Sequence, residues 1–280
     1  MTISVIIPTL NEEQTIEHTL KRLSDPAFSE ILVVDGGSHD QTLARVATAA
    51  PRARILSGPT GRARQMNSGA AASKGDVLLF LHADTLLPLT ATADVLTALQ
   101  DPRTIGGRFD VRFDRDSGWY WLICRMMNWR SRLTGIVTGD QALFVRRPVF
   151  EAIGGFPDIP VMEDIVFSKQ LKRVGRIAAL ESCVLTSSRR WTRQGTIRTI
   201  VLMWGLRFLF FVGVSPARLK IGEIRCRPNW TWLSPRGSRL RSMVRSMAVP
   251  HEWFEMLVVD PRTLRAQCMP AVPSTRYTSR

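Results

Sequence analysis

Asp76 is followed by the apolar run 77–81 and then by His82 and Asp84, an imidazole and a carboxylate two positions apart. A short continuous apolar run reads as a strand buried on both faces, and residues at i and i+2 beyond its end leave on one side. At the carboxyl end of a parallel strand, where open α/β sheets take their ligands, such a pair can hold a divalent cation against a phosphate. The same residues also suit a surface turn, so their neighbours must decide. A second acidic group, Glu163-Asp164, opens an apolar-periodic stretch through Ile165, Phe167 and Leu171. There it either compensates a helix dipole or supplies a general base.

The first hundred residues supply the elements that must position these groups. Ser4–Pro8, Ile31–Val34, Ala53–Leu56 and residues 77–81 read as strands. Helical stretches fall between them: one after Asn11 through Ile16, Leu20 and Leu23, one capped by Ser38 and running to about Ala50, and an alanine-rich one opened by Gly61. Strands alternating with helices predict βαβ units and a mainly parallel sheet flanked by helices. Successive strand ends then bring Thr9 and Glu12, Asp35, and His82 and Asp84 to one edge. That is a nucleotide-sized site, with carboxylates for a ribose or base and for a metal-bound diphosphate.

The ordered words 5–12 (Val-Ile-Ile-Pro-Thr-Leu-Asn-Glu), 33–38 (Val-Val-Asp-Gly-Gly-Ser), 61–64 (Gly-Arg-Ala-Arg), Gly75-Asp76 with 82–84 (His-Ala-Asp), and Glu163-Asp164 resemble a family 2 glycosyltransferase of the GT-A fold. Gly106-Gly107-Arg108-Phe109, Thr138-Gly139-Asp140-Gln141 and Ser188-Arg189-Arg190-Trp191 are similar to its subgroup of radical-SAM/selenodomain-associated transferases. The resemblance covers roughly residues 1–220 and implies a nucleotide-sugar donor, a divalent cation (Mn²⁺ or Mg²⁺) and inversion at the anomeric carbon. It implies that Pro8, Thr9, Glu12 and Asp35 line the nucleotide pocket, that Arg62 and Arg64 lie near the nucleotide, and that Asp84 binds the metal and diphosphate. Asp164 becomes the general base and Glu163 a supporting residue. His82 stands where the family has the first aspartate of its D-x-D word, and is either a ligand or an outer group. Gly36 stands where many members have a second aspartate. Asp140 and Gln141 either face the acceptor or cap a turn. Arg190 and Trp191 resemble part of the word of processive members, but Ser187 replaces its glutamine, so a processive polymerase is not supported.

The chain has 280 residues, is 45% hydrophobic and carries a formal charge of +14, enough for one α/β core. A GT-A domain is expected over 1–221. Residues 222–280 hold ten arginines against Glu223, Glu252, Glu255 and Asp260, mixed with prolines and tryptophans, and are expected to be a poorly ordered tail with one short helix around Leu240–Met247. No basic helix interleaved with aromatics speaks for nucleic acid. Residues 197–214 are almost wholly apolar but carry Arg207 at their centre. They suit an interfacial or docking helix better than a bilayer span, or a helix packed on the sheet's flank. No basic region precedes an apolar leader, and Cys124, Cys183, Cys226 and Cys268 show no metal spacing. These features predict a cytoplasmic protein, peripheral at the inner face of the plasma membrane, whose acceptor bears a hydroxyl or carboxyl and has a lipid among its candidates. The rival readings are a non-catalytic sugar- or lipid-binding scaffold, and a nucleotidyltransferase, which would need a glycine-rich loop where Pro8-Thr9-Leu10-Asn11 stands.

Overall fold

A computed structural model describes residues 1–23, 25–115, 118–189, 192 and 195–219. Its centre is made by the sequences with the longest apolar runs. β1 (Ile3–Thr9) and β4 (Val77–Phe80) are buried on both faces and pair in parallel, and β1 also pairs in parallel with β2 (Phe28–Asp35). β3 (Arg54–Ser57) extends the parallel half. Beyond β4 the sheet turns mixed. β7 (Leu143–Arg146) lies antiparallel to β4 and to β6 (Thr104–Phe113), while β8 (Arg176–Thr186) runs parallel to β6 and antiparallel to the short β5 (Thr85–Leu86). The order is β3-β2-β1-β4-β7-β6-β8-β5.

Alternation along β1 feeds two apolar layers. Ile3, Val5 and Ile7 enter one core with Ile16, Leu20 and Val46, and Ile6 enters the other with Met66, Phe80 and Phe150. On the first side lie α1 (Ile16–Lys21), α2 (Thr42–Ala49), α4 (Ala91–Ala98) and α5 (Gly118–Thr134). On the second lie α3 (Arg62–Ala72), α6 (Arg147–Ile153) and α7 (Glu163–Val174). The apolar segment near the end of the described chain forms α8 (Thr196–Phe211). Among the described residues no helix is long and apolar enough to cross a membrane.

Several local expectations shift. α2 begins at Thr42 with no side-chain cap. Ser38, expected to cap it, lies three residues before the N-cap Gln41; its hydroxyl donates to Asp35 Oδ1 at 2.5 Å and accepts from the Asn11 amide at 2.9 Å. The stretch through Leu23 is helical only over Ile16–Lys21. β7 starts at Leu143, directly after Ala142, whose backbone is left-handed with φ 47°. The tail 222–280 and its expected helix lie outside the described residues.

Candidate active site

The register sets the site's depth. Thr9 pairs with Asp35 at the ends of β1 and β2, while β4 stops opposite Ile6, leaving room for His82 and Asp84 to follow. α7 brings its N-terminus to the same edge, and the 3₁₀ turn Gly139–Gln141 lies between. The Gly139 amide donates to Asp164 Oδ2 at 3.0 Å, and the Ile165 amide donates to Oδ1 at 2.8 Å. Both oxygens are thereby oriented, and each keeps a lone pair. Asp164, His82, Arg62 and Glu163 share a shallow recess over the apolar side chains of Met66 and Phe80. Only glycine fits at 139, because a Cβ there would come 2.4 Å from His82 Nε2.

Glu163 is 2% exposed and pairs with Arg62, Oε1 to Nε at 2.7 Å. Burial pushes its carboxyl above the usual range; Arg62 opposes that push and Asp164 adds to it. The same Arg62 reaches His82, Nη1 to Nε2 at 3.3 Å. The other ring nitrogen, Nδ1, lies 3.3 Å from Asp140 Oδ1. His82 is therefore engaged at both nitrogens. Arg64, by contrast, is bound at the surface by Asp158 at 2.7 Å, and it does not line the recess.

On the nucleotide side, Asp35 is 6% exposed and accepts from the Gly37 and Ser38 amides at 3.0 and 2.9 Å. Thr9 is buried beside it, its hydroxyl 3.3 Å from the Val34 carbonyl, and Pro8 is half-buried. Gln65 bridges the Thr9 and Val34 carbonyls with its amide, both at 2.8 Å. A side chain at Gly36 would begin 3.0 Å from that amide, so the Gln65 side chain would have to give way to it. Glu12 Oε2 accepts from Arg189 at 2.8 Å and from Thr15 at 2.9 Å.

Asp84 leaves β4 on the same edge but faces a second, open recess with His18, Asp114 and Ser187. Burial raises its carboxyl pKa; the His82 charge opposes the rise, and Asp140 and Glu12 reinforce it. Among the described residues no group of three or more metal-ligating side chains converges. The donor set nevertheless suits a hard cation completed by substrate oxygens, since Mg²⁺ typically takes one or two carboxylates plus phosphate and water. Asp84 is a half-buried carboxylate near the further carboxylate Asp140, whereas both nitrogens of His82 are already engaged.

The sequence profile of the family described as Glycosyl transferase family 2 matches residues 4–154, more than half of the chain. The chain belongs to glycosyl transferase family 2. It is 30% identical over 167 residues to undecaprenyl-phosphate 4-deoxy-4-formamido-L-arabinose transferase of Pseudomonas paraeruginosa, covering 54% of this chain and 49% of that protein. It is 33% identical over 99 residues to glucosyl-3-phosphoglycerate synthase of Mycobacterium tuberculosis, covering 31% of this chain and 30% of that one. The chain thus spans at most about half the length of these relatives. Among solved structures, S. aureus TarS 1-349 in complex with UDP-GlcNAc superimposes with a TM-score of 0.55 at 21% identity, over 67% of this chain and 58% of that one. That likeness supports the expected GT-A fold.

Within this family 2 chain, Thr9, Asp35, His82, Asp84, Asp140, Glu163 and Asp164 gather along one sheet edge, while Arg64 turns to Asp158. Gln141 is fully buried; its Oε1 accepts from the Thr138 amide at 3.1 Å and closes the turn, and its Nε2 has no partner. Arg190 and Trp191 lie outside the described residues. Two participants were not singled out by the sequence reading: Arg189, which clamps Glu12, and Gly139, which orients Asp164. Both stand inside the quoted words 188–191 and 138–141, and position in a word was the available signal.

Proposed function

We propose that the chain transfers a sugar from a nucleotide-diphosphate sugar to an acceptor hydroxyl, with inversion at the anomeric carbon. The observation that carries this is the Asp164 carboxylate, oriented by the Gly139 amide at 3.0 Å in a recess shared with Arg62 and His82. In this reading the acceptor oxygen attacks the anomeric carbon from the face opposite the diphosphate. Its proton passes to Asp164, and the bond to the diphosphate oxygen breaks with its electron pair. Asp35, Thr9, Pro8 and Glu12 hold the nucleoside. Asp84, with Asp140 beside it, holds the cation; His82, engaged by Arg62 and Asp140, orients rather than ligates. When bound, Mn²⁺ or Mg²⁺ neutralises charge on the departing diphosphate. Glu163 fixes Arg62 on the donor side. The two curated relatives, both named for sugar transfer, support the same reading. We also assign α8 a peripheral membrane contact, supported by its exposed Trp204, Phe208 and Phe211.

The test is nucleotide release from UDP-, GDP- and dTDP-sugars with Mn²⁺, Mg²⁺ or chelator, without acceptor. One nucleotide should be released, chelator and Asp84→Ala should abolish it, and Asp164→Asn should suppress turnover while leaving nucleotide binding intact. Silence from every donor, together with no thermal shift from any nucleotide, would overturn the proposal in favour of a non-catalytic scaffold.

A further inference from the structure

α5 is apolar on two faces. Tyr120, Ile123 and Cys124 are buried in the core, where the Tyr120 and Phe113 rings meet edge to face with centres 5.5 Å apart. Trp119, Leu122, Met126, Trp129 and Leu133 are all exposed, the two tryptophans by 74% and 65%. They follow one another at intervals of three or four residues. On a helix turning about 100° per residue, that spacing keeps all five within about 80° of one another. The stripe is about 21 Å long and points away from the buried face. Large apolar side chains are ordinary on a surface when scattered; a contiguous row of them marks an interaction site.

Charge decides what covers it. α5 carries Arg125, Arg130 and Arg132 and no acidic residue. Arg132 is paired with Asp110 at 2.7 Å and contributes less. Arg125 is exposed, lies about 40° round the helix from Trp129, and sits over the Trp121 ring at 5.3 Å. Exposed Lys172 of α7 donates to the Thr134 carbonyl at the helix end. A second copy would bring this basic border against its own like, and residues 222–280, with ten arginines against four acids, would add to the repulsion. An anionic lipid surface complements it. Tryptophan concentrates where hydrocarbon meets headgroups, and a helix whose apolar stripe is edged by arginine lies in that plane with its guanidinium among the phosphates. The stripe also ends near the candidate base. Leu133 stands six positions before Gly139, whose amide holds Asp164, so the two lie within about 22 Å.

We propose that the outer face of α5 is a docking surface for an anionic lipid membrane, with Trp119 and Trp129 set among the headgroups and Arg125 against their phosphates. Neither the contact assigned to α8 nor the transferase reading is needed for it, and its test uses no donor. The full chain is sedimented with phosphatidylcholine vesicles, with and without phosphatidylglycerol. It should bind those with phosphatidylglycerol alone, and Trp119→Ser/Trp129→Ser should weaken that binding at least tenfold without lowering Tm. Leu89→Ser removes an exposed apolar side chain outside α5 and should bind like the parent. A tryptophan double that binds like the parent would overturn the surface and leave the α8 contact standing. Equal binding to pure phosphatidylcholine would overturn the anionic assignment. A parent that ignores every vesicle would overturn the proposal too, and if that parent dimerises where the double does not, the face belongs to a second copy. Should the tryptophan double not fold, Arg125→Glu decides. It should bind phosphatidylglycerol vesicles at least about fivefold more weakly than Arg103→Glu, the same charge change at an exposed arginine paired with Asp101. Equal binding by these two variants would overturn the docking surface.

Discussion

Replacing Gly139 by alanine tests the centre of the site. The φ of Gly139 lies outside the left-handed region, so alanine meets no backbone strain, and the substitution acts through its Cβ alone. That Cβ would stand 2.4 Å from His82 Nε2 and 2.5 Å from Cε1, against ordinary contact beginning at 3.4 Å, so ring and turn must part by about 1 Å. Swinging the ring aside breaks its contacts with Arg62 and Asp140; moving the turn instead withdraws the amide from Asp164. A misplacement of about 1 Å near reacting groups costs on the order of 10²-fold, or about 2.7 kcal/mol of transition-state stabilisation. Overpacking adds a stability loss of about 1–3 kcal/mol. Acceptor-independent nucleotide release measures the first and thermal unfolding the second, at about 2–4 °C per kcal/mol for a domain of this size. His82→Ala in the same chain removes the clashing ring. The double variant should therefore unfold above Gly139→Ala, with coupling of about 0.5–3 kcal/mol. Unchanged activity and unchanged Tm in Gly139→Ala would refute the packing argument.

Arg62→Ala strips the counter-charge from buried Glu163 and should cost about 1–3 kcal/mol, the lower part of the range for a broken buried pair because the Arg62 side chain is 44% exposed. Glu163→Gln in the same chain should restore most of that Tm, and no restoration would remove the pair as the cause. Asp84→Asn should abolish nucleotide release yet raise Tm at neutral pH in chelator. Because the folded Asp84 pKa is raised by burial, its contribution is complete below the unfolded value near 3.8 and is lost as pH climbs through the raised value. The variant's advantage should therefore shrink on acidification, and a pH-independent difference in Tm would refute this linkage. Gly36→Asp should lower Tm, by about 1–3 kcal/mol of stability, by displacing the Gln65 amide from its two carbonyls. An equally stable variant would show that the loop has room for the aspartate.

The strands that seat the site were legible because burial on both faces imposes a pattern that survives without context. β1, β2 and β4 read directly as apolar runs, and their polar ends place Thr9, Asp35, His82 and Asp84 along one edge. Partner choice among the charged groups was not legible. Arg64 and Arg62 lie two residues apart on the first turn of α3, yet one meets Asp158 and the other Glu163. The loop 154–162, which carries Asp158 and leads into Glu163, has no periodicity to reveal its path. Arg189 reaches Glu12 across 177 residues of sequence, a pairing that only the sheet order brings about. The mixed half of the sheet was equally hidden, since antiparallel β7 and parallel β8 carry the same kinds of apolar residue as the first half.

Backbone strain marks the same edge from an independent direction. Among the described residues, Asn11, Ala142 and Met162 are the non-glycine residues with positive φ, at 55°, 47° and 68°. Each adjoins a candidate site residue: Asn11 precedes Glu12, Ala142 follows Gln141, and Met162 precedes Glu163. Such conformations cost about 1–3 kcal/mol each and persist where the surroundings over-determine them. Met162 shows what holds the strain. Directly after it, Glu163 is fixed by Arg62 and Asp164 by the Gly139 amide, so a relaxed Met162 would have to give up both contacts. Half-buried Asp84 and buried Glu163 raise the cost of this edge further, since loss of solvent disfavours the charged form of each. An edge that combines strained backbone with carboxylates drawn out of water is less stable than the same fold could make it. A bound cation would relieve the charge on Asp84, so a group destabilised by burial is one that the proposed chemistry uses.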